Sequence, residues 1–544
     1  MKKYSKYLLV VFPALYMLVG FYFRQVNGDL SLRSTDPEYI DFISGMCVAT
    51  GRFGQANIDH PGAIFQIILA FIFKIIHFFR GSKTPFFEDA MANADMYLAV
   101  SNLAITAIIA TAMFWAGKAV RKITGSTLYA LIIQTAPFII NVWYEIAGRI
   151  YPELIFVIPV YLLEVQLLRE LYQPDYSPKK SIFNYSLAMG IGLSIKMTFF
   201  PLIVLPLFVI KTIKNKLKYL AYTVIVFFVL SPQVAVQWHH FYWWMRGMFV
   251  HSGQYQAGES NIIDTTLFVK NLDKLLTGER YFFYASALMV VLLIIMTFTR
   301  KRWLLSAQIF SGFTLSVLGL VFIVSKQYAI RYFLPALLFY PFLLILNKEA
   351  IQLFFKQKIV KQLLSTVIVI IILFQFSKSV SYMRVVSRTI SQQVTATAQT
   401  RDFIETLDKN SYTIITSQAY GSPYRQYALM FSFAMGGKQW PNYREKLDKL
   451  FPNNYMYFTW DNTIKYWGKP YNAGEIAASG KPVYLYLQKN SKELYNRTVK
   501  KLLENSRDIS IDRKLLFENP YNHESVSRLY FSVDSIQTAT QTGQ

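Results

Sequence analysis

Residues 281–299 read YFFYASALMVVLLIIMTFT, an unbroken run that holds no charged side chain. A helix of about 20 apolar residues is as long as the hydrocarbon core of a bilayer is thick. Arg300, Lys301 and Arg302 follow directly, and basic clusters of this kind flank the cytoplasmic ends of membrane spans. The stretch therefore predicts a transmembrane helix whose carboxyl end lies in the cytoplasm.

Similar apolar runs recur along most of the chain. Of its 544 residues 53% are hydrophobic and only 16% are charged, whereas about a quarter of the residues of a soluble protein are charged. The composition therefore predicts an α-helical polytopic membrane protein. The candidate spans are 7–23, 61–79, 97–117, 127–143, 152–171, 182–195, 198–210, 219–234, 281–299, 303–324, 332–347 and 362–376.

The basic residues of the loops indicate which runs cross. If all twelve crossed, loops such as 118–122 and 211–218 would lie outside the cell, although Lys and Arg favour the cytoplasmic side. These loops become cytoplasmic if 61–79, which also holds Lys74 and His77, lies along the membrane interface. We therefore predict eleven crossings plus one juxtamembrane helix, with the N-terminus in the cytoplasm.

This topology divides the chain into two predicted domains. Residues 1–376 form a transmembrane domain, and residues 377–544 form an extracytoplasmic α/β domain with mixed charge and no further spanning run. Within the second, 412–417 (YTIITS) and 483–487 (VYLYL) have the composition of strands. The segments expected outside the membrane are the first exported loop 24–96, the stretch 143–152, the second large loop 235–280 and everything after about 377.

Charge and cysteine content exclude several function classes. The formal charge of +24 does not predict a nucleic-acid partner, because the basic residues cluster in short loops between apolar runs. A single cysteine, Cys47, excludes a disulfide framework and a four-thiolate metal site. The six histidines are scattered, so no metal or other cofactor is predicted, and a divalent cation is not favoured.

The first exported loop contains a dense group of acids, in the stretch Ser34–Asp41 (STDPEYID). A helix that begins after Pro37 would place Glu38 and Asp41 on one face, since they are three positions apart. Asp36 would then cap that helix. Alternatively, the three carboxylates face a lipid-borne substrate at the membrane surface. The two interpretations are compatible, because a capping carboxylate can also accept a proton.

The same loop continues through Gly51 to His60-Pro61-Gly62, which opens an apolar run. This order of motifs resembles the first exported loop of the GT-C superfamily of membrane glycosyltransferases: D-x-E-Y, a glycine, and then H-P-[PG]. The branch it resembles holds protein O-mannosyltransferases, aminoarabinose transferases and RgtA/B/C/D-like transferases. In that branch the typical sequence is D-E-x-x-Y, then G, then H-P-P. This chain differs twice: Pro37 separates the two acids, and Gly62 replaces the second proline.

Three further segments follow in the order of that family. Residues 149–153 (RIYPE) resemble its R-x-x-P-[DE] motif, and residues 326–335 (KQYAIRYFLP) resemble its R-Y-x-L-P motif. Residues 192–198 (GLSIKMT) are similar to its G-L-x-x-x-T-K segment, with the lysine before the threonine. The resemblance covers roughly residues 1–350.

The resemblance implies an inverting enzyme that moves a sugar from a polyprenyl-phosphate donor to an envelope acceptor on the outer face of the membrane. It implies Asp36 as the base and Glu38 as its assistant, with Lys196 and Arg331 as phosphate ligands. The short spans 182–195 and 198–210 meet at Lys196, and a break there is tolerated only beside a cavity or the water interface. The alternative for both cations is that they extend to the lipid headgroups.

Other residues of these motifs are candidates for substrate binding. Arg149 and Glu153 are four positions apart, so they are equally well explained as an ion pair on a helix. His60 is a candidate for a substrate contact, and the alternative is that it is an ordinary residue at the start of a helix. The full set of substrate-binding candidates is Asp41, His60, Arg149, Glu153, Lys196, His251, Lys326, Arg331 and Tyr332.

Two other functions compete with the transferase. A flippase or transporter of lipid-linked glycans would place charged residues near the middle of its spans, whereas here most lie at predicted span ends. A membrane scaffold would use the exported domain only to bind a partner. The sequence leaves the sugar, the acceptor and the oligomeric state open.

Overall fold

The structure is a computed structural model. It describes residues 7–33, 36–60, 62–173, 175–252, 258–299, 304–408, 411–417, 422–436, 440, 442–459, 462–471, 475–476, 480–504 and 509–533. The predicted basic cluster 300–302, Pro61 of the H-P-G motif, and Ser34 and Thr35 of the acidic stretch lie outside these residues.

The chain is an α-helical membrane protein with a smaller mixed region near its C-terminus. Within the described residues, seven helical segments are long and apolar enough to cross a bilayer. They are Tyr7–Asn27, Ala63–Arg80, Ala94–Thr124, Arg280–Phe298, Leu305–Lys326, Ile330–Gln352 and Lys358–Glu405. The prediction of eleven crossings also counts shorter runs, such as 182–195 and 198–210, which this length criterion leaves out.

Proline accounts for much of the difference, because it ends or bends a helix. The predicted span 127–143 is divided into Thr127–Gln134, the 3₁₀ turn Ala136–Phe138 and Asn141–Ile146, with Pro137 in the turn. The predicted span 152–171 begins instead as a 3₁₀ helix at Pro152. Ala63–Arg80 meets the length and composition criterion, so its placement along the interface stays a prediction.

The α-helices have the following bounds: Val11–Asn27, Glu38–Ala49, Ala63–Arg80, Phe86–Ala92, Ala94–Thr124, Thr127–Gln134, Asn141–Ile146, Val157–Tyr172, Pro178–Ile195, Val204–Val209, Ile213–Val229, Pro232–Val236, Trp238–Val250, Thr265–Gly278, Arg280–Phe298, Leu305–Lys326, Leu334–Leu337, Tyr340–Gln352, Lys358–Glu405, Arg425–Met435, Tyr443–Leu450 and Lys492–Leu502. The 3₁₀ helices are Tyr7–Val10, Leu30–Leu32, Phe53–Gln55, Ala136–Phe138, Pro152–Phe156, Met197–Ile203 and Ile330–Phe333.

The chain forms two compact units that do not follow the predicted boundary at residue 377. The first unit comprises Met1–Gln25, Val48–Ile72 and Ser101–Ser387. The second comprises Val26–Cys47, Phe73–Val100 and Arg388–Gln544. The composition changes at Ser377, yet the helix Lys358–Glu405 runs through this position without interruption.

In the first unit, the helix Pro178–Ile195 packs against Ile213–Val229 and Val157–Tyr172. The segment Ile330–Gln352 is the most deeply buried of the seven long apolar segments, with 89% of its apolar window inside the protein. Most of this segment therefore contacts protein on nearly all sides.

The second unit contains a seven-stranded sheet. Its strands are β1 (Tyr412–Ser417), β2 (Asn454–Phe458), β3 (Thr463–Tyr466), β4 (Lys469–Pro470), β5 (Val483–Leu487), β6 (Ile509–Glu518) and β7 (Ser525–Val533), in the spatial order β4-β3-β2-β1-β5-β7-β6.

The central strand β1 runs parallel to both β2 and β5, and the outer strands are antiparallel to their neighbours. A parallel neighbour needs a crossover connection, and the helices Arg425–Met435 and Tyr443–Leu450 lie in the crossover from β1 to β2. All residues of β5 are buried. The predicted strands 412–417 and 483–487 are confirmed, and the C-terminal region is an α/β fold.

Candidate functional site

Lys196 lies at a break between two helices of the first unit. The helix Pro178–Ile195 ends directly before it, Lys196 itself is extended, and the 3₁₀ helix Met197–Ile203 follows. The predicted break is therefore confirmed. Phe199 in this 3₁₀ helix stacks on Phe156, with 5.5 Å between the ring centres. This stacking brings the segment after Lys196 against the segment that carries Glu153.

Glu153 lies at the centre of a group of cations. One of its carboxylate oxygens accepts a hydrogen bond from the Lys196 Nζ at 2.7 Å and lies 3.5 Å from the Arg331 Nε. The Glu153 side chain is only 1% exposed and that of Lys196 only 9%. Because a buried charge is costly unless it is paired, the contact between Glu153 and Lys196 holds both side chains in place.

Arg331 and Tyr332 enter this group from the 3₁₀ helix Ile330–Phe333, at the start of the most buried segment. The Lys196 Nζ lies 4.3 Å from the centre of the Tyr332 ring, and the Arg331 guanidinium carbon lies 5.3 Å from it. A cation over an aromatic face is attracted by the ring. Tyr332 therefore holds both cations close together.

Arg149 joins the group through Tyr151. The Arg149 guanidinium carbon lies 4.5 Å from the centre of the Tyr151 ring, and that of Arg331 lies 5.6 Å from the same centre. Arg149 and Glu153 do not lie on one α-helix, because Pro152 begins a 3₁₀ helix and residues 149–151 are not helical. The predicted pairing on a helix is therefore wrong.

Gly148 fixes the backbone beside Arg149. Its φ of +72° lies in the left-handed region, and a Cβ placed on it would lie 2.4–2.6 Å from backbone atoms of Phe23 and Arg24. The Arg24 Nη1 donates a hydrogen bond to the Gly148 carbonyl at 3.0 Å, and the Asn102 side chain donates to the Arg149 carbonyl at 2.6 Å. These contacts hold the loop that presents Arg149 and Tyr151.

The H-P-G motif reaches the same group by way of Gly62. The Gly62 N–H donates a hydrogen bond to the carbonyl of Ile195, the residue before Lys196, at 3.1 Å. Gly62 has a φ of +56°. Proline has no N–H and a φ fixed near −65°, so the second proline of the family motif cannot take this conformation. The departure at position 62 thus has a structural reason.

His60 lies among aromatic rings next to the cations. Its ring centre is 6.2 Å from that of Tyr332 and 6.3 Å from that of Trp244. Burial, and then the positive charges of Lys196 and Arg331, hold the pKa of His60 well below its ordinary value. His60 is therefore neutral at pH 7 and adds no positive charge to the group.

We expect the stability of the protein to depend on pH through His60. The unfolded chain takes up a proton near pH 6.5, whereas the folded chain resists it, so acidification favours unfolding. Between pH 6.5 and 5.5 the wild type should lose up to about 1 kcal/mol more stability than His60→Gln. Thermal unfolding of both proteins at pH 7.5, 6.5 and 5.5 measures this difference, and parallel pH profiles would contradict it.

The predicted acidic residues belong to the second unit. Asp36 is exposed, whereas Glu38 and Asp41 are buried in the first turn of the helix Glu38–Ala49. The Asp41 N–H donates to the Pro37 carbonyl at 2.8 Å, so the helical hydrogen bonding begins at Pro37. Among these three acids, Asp36 is the one that meets solvent.

Asp95 anchors the acidic segment within the second unit. It accepts hydrogen bonds from the Tyr39 hydroxyl at 2.6 Å, from the Ser31 backbone N–H at 3.3 Å and from the Arg425 Nε at 2.7 Å. Arg425 also donates to the Ala92 carbonyl at 2.9 Å. The helix Arg425–Met435 is thereby tied to the residues that flank Asp36 and Glu38.

We expect Arg425→Ala to destabilise the second unit by about 2 kcal/mol, because it leaves the buried Asp95 carboxylate without its charge partner. The expected loss of stability is smaller than that for a fully buried ion pair, because the Arg425 side chain is 35% exposed. Thermal unfolding followed by tryptophan fluorescence measures the loss. The double variant Arg425→Ala/Asp95→Asn removes the orphaned charge and should recover at least part of it; equal melting temperatures for the two variants would rule out this cause.

Lys326 and His251 lie at the carboxyl end of the helix Trp238–Val250. The Lys326 Nζ donates to the carbonyls of Met248 and Phe249 at 2.8 and 2.9 Å, which is the favourable place for a cation at a helix end. His251 is the residue that ends this helix. The structure thus gives Lys326 a helix-capping contact, and its role in substrate binding stays a prediction.

Several residues of these sites were missed by the sequence analysis. Tyr151 lies inside the quoted RIYPE segment but was not singled out, and Trp244 was not named. Asp95 and Arg425 carry no local pattern, since they are 330 positions apart. Among the described residues, no group of three or more His, Cys, Asp and Glu side chains has the arrangement of a metal site.

The first unit therefore brings several cations together around one buried carboxylate. Lys196, Arg331 and Arg149 contribute three cations, and Glu153 contributes one carboxylate. The aromatic side chains of Tyr151, Tyr332 and Trp244 border it. A phosphate group would find two kinds of donor here, the forked guanidinium of arginine and the ammonium of lysine.

Comparison with known proteins finds similar solved structures. Two solved structures of ArnT from Cupriavidus metallidurans, a GT-C aminoarabinose transferase, are similar to the chain. The structure bound to undecaprenyl phosphate has a TM-score of 0.49 and 10% identity, covering 96% of this chain and 97% of ArnT. The apo structure has a TM-score of 0.47 and 12% identity, covering 95% and 97%. No family model and no curated protein matches the chain. At these identities the likeness concerns the path of the chain and not individual residues.

Proposed function

We propose that the chain is a membrane glycosyltransferase that moves a sugar from a polyprenyl-phosphate donor to an acceptor in the cell envelope. The observation that carries the proposal is the buried group in which Glu153 contacts both Lys196 and Arg331. The two cations lie side by side at this carboxylate, so the oxygens of one phosphate would meet both of them. The sequence motifs that resemble those of the GT-C superfamily supply the four residues Arg149, Glu153, Lys196 and Arg331 of this group.

The proposed reaction is a single displacement that inverts the sugar. An acceptor hydroxyl loses its proton to a carboxylate and its oxygen bonds to the anomeric carbon. The bond between that carbon and the phosphate oxygen breaks, and the electron pair leaves with the phosphate as polyprenyl phosphate. Lys196 and Arg331 stabilise the negative charge that develops on the leaving phosphate, which is where preorganised charges accelerate a reaction most.

Asp36 is the proposed base. It is exposed, and its neighbours Glu38 and Asp41 are buried, so Asp36 is the acid that can exchange a proton with an acceptor. Glu38 is the proposed assistant, through the orientation of the segment that carries Asp36. Asp41, His60, Arg149, Glu153, His251, Lys326 and Tyr332 stay proposed contacts of the substrates.

The proposed orientation puts the N-terminus in the cytoplasm and the C-terminal α/β region outside, in accord with the positive charge of the loops. The partners are the bilayer, the lipid-linked donor and an envelope glycan, lipid or protein. No cofactor is needed in this scheme, because side-chain cations neutralise the phosphate. Transfer is therefore proposed to proceed in the presence of a chelator.

Reconstitution tests the proposal. The purified protein in liposomes receives labelled aminoarabinose or mannose on polyprenyl phosphate, together with an extract of envelope lipids and glycans. Transfer of label to the extract is expected. Movement of the intact lipid-linked sugar between leaflets without transfer would favour the flippase instead, and neither activity with either donor would favour the scaffold.

A further inference from the structure

A groove with apolar walls runs between three helices of the first unit: Arg280–Phe298, Tyr340–Gln352 and the first part of Lys358–Glu405. Its volume is about 280 Å³. The apolar and aromatic side chains of its walls include Tyr284, Leu288, Tyr340, Leu344, Val367 and Ile371. Among the described residues that line it, Lys348 is the charged one.

Lys348 is buried although its ammonium group is a charged donor. The residue is 4% exposed, and its Nζ donates a hydrogen bond to the Tyr129 hydroxyl at 2.6 Å. The Tyr129 hydroxyl in turn donates to the Glu349 carboxylate. An ammonium has three donors, and among the described residues Tyr129 is the acceptor of one. Because an unmade hydrogen bond is costly in a buried place, the other two favour an acceptor that enters the groove.

A second cation lies at the same end of the groove. Leu364 lines the groove, and the exposed Lys361 precedes it by three positions, so the two lie on one face of their helix. The charge of Lys361 also acts on the Lys348 ammonium. Two like charges repel each other, and an anionic group between them removes this repulsion. This end of the groove therefore suits an anion.

The length of the groove matches one leaflet of a bilayer. Tyr340 and Ile351 both line it, and eleven residues of helix span about 16 Å. The hydrocarbon core of a bilayer is about 30 Å thick, so one leaflet is about 15 Å. Lys348 lies near the end of the long apolar segment Ile330–Gln352, and Tyr340 lies near its middle. A chain that starts at Lys348 and follows the groove therefore runs towards the centre of the membrane.

We propose that this groove binds an anionic phospholipid of the cytoplasmic leaflet, with one acyl chain along the apolar walls and the phosphate at Lys348 and Lys361. Basic pockets between membrane helices on the cytoplasmic side suit such headgroups. The cluster Lys356, Lys358 and Lys361 assigns this end of the groove to the cytoplasm, because basic residues favour that side.

The groove is a different place from the buried cations of the candidate site. Arg331 and Lys348 lie in the same apolar segment, 17 positions apart, which corresponds to about 25 Å along a helix. The proposed orientation places Arg331 near the outer face and Lys348 near the inner one. The lipid site therefore does not depend on the proposed transferase function.

The test measures lipid binding to the full-length protein in a neutral detergent by native mass spectrometry. The probes are phosphatidylglycerol and phosphatidylcholine with the same two acyl chains, and polyprenyl phosphate is the third. Phosphatidylglycerol is expected to bind about 10- to 100-fold more tightly than phosphatidylcholine, the effect of one charge-assisted hydrogen bond.

Val367→Trp tests the acyl-chain part of the groove. Val367 lines the groove and is 41% exposed, so a larger apolar side chain fills the space without entering the packed interior. The affinity for phosphatidylglycerol should fall at least about 10-fold, since the loss of two buried methylene groups is sufficient for that. Ile370→Trp is the matched control, because Ile370 lies on the same helix, is 58% exposed and is not a lining residue. It should leave the affinity unchanged.

Lys361→Gln tests the headgroup part. It should lower the affinity for phosphatidylglycerol about 5-fold, the effect of one lysine beside an anionic lipid, and leave that for phosphatidylcholine unchanged. Lys214→Gln removes an exposed lysine of another helix, Ile213–Val229, and should change neither affinity.

Three results would overturn the proposed lipid site. The first is equal affinity of the wild type for the two phospholipids. The second is equal affinity of Val367→Trp and Ile370→Trp for phosphatidylglycerol. The third is tighter binding of polyprenyl phosphate than of phosphatidylglycerol, abolished by Val367→Trp, which would assign the groove to the lipid of the sugar donor instead.

Discussion

Lys196→Ala is expected to reduce sugar transfer at least about 100-fold, because it removes a preorganised cation from the place where the phosphate charge develops. Lys196 forms the shortest contact of the group, 2.7 Å from Glu153, and lies over the Tyr332 ring. Among the described residues, its loss also leaves the buried Glu153 carboxylate with the longer 3.5 Å contact from Arg331 as its ion pair. The rate of transfer from a polyprenyl-phosphate sugar, in liposomes, measures the effect.

Two variants control for indirect effects. Lys211→Ala removes an exposed lysine of the same unit and should leave transfer unchanged. Lys196→Arg keeps the charge, but its planar fork differs in shape from an ammonium, so only partial activity is expected. If Lys196→Ala transfers sugar at the wild-type rate while it folds normally, the phosphate site lies elsewhere.

Asp36→Asn is expected to lower transfer by about 10²- to 10⁴-fold, the usual contribution of a general base. The substitution keeps the size of an exposed side chain, so the melting temperature should hardly change. Donor binding should also be preserved, since the proposed phosphate ligands are other residues. A loss of rate with unchanged donor affinity is therefore the expected signature.

Asp29→Asn is the matched control for Asp36. Asp29 is an acid of the same predicted loop, and its side chain is 47% exposed. One of its carboxylate oxygens lies 3.3 Å from the Nη1 of Arg401, whose side chain is also partly exposed. Such a pair contributes little to stability, and no role in the reaction is proposed for it. Equal losses of activity in the two variants would argue against a specific role of Asp36.

The apolar runs predicted the long helices because a bilayer requires an uninterrupted stretch of hydrophobic residues. Runs of the same length that contain proline did not follow this rule. Pro137 divides one predicted span, and another begins as a 3₁₀ helix at Pro152. Hydropathy alone does not show where a proline removes a backbone hydrogen bond. Within the helix Lys358–Glu405 the composition changes at Ser377 while the backbone stays helical, so a change in composition does not by itself mark the end of a helix.

The candidate site was predictable as a set of residues but not as a set of contacts. The motifs named Glu153, Lys196 and Arg331, and the structure brings these three together. Sequence spacing suggested Arg149 as the partner of Glu153, since local pairs are all that spacing can reveal. The actual partner Lys196 is 43 positions away, and the loops that join them have no periodic signal.

The tight turn at Gly148 has an evolutionary consequence. Any side chain at this position would collide with the backbone of the first helix, and the collision cannot be relieved by rotating a neighbouring side chain. A lineage that diversifies its sugar or its acceptor is therefore free to exchange the aromatic rings and loops around the cations, but it must inherit this glycine unchanged. Substitutions are therefore expected in the side chains that border the cations, whereas the turn at Gly148, which positions Arg149, is expected to stay the same.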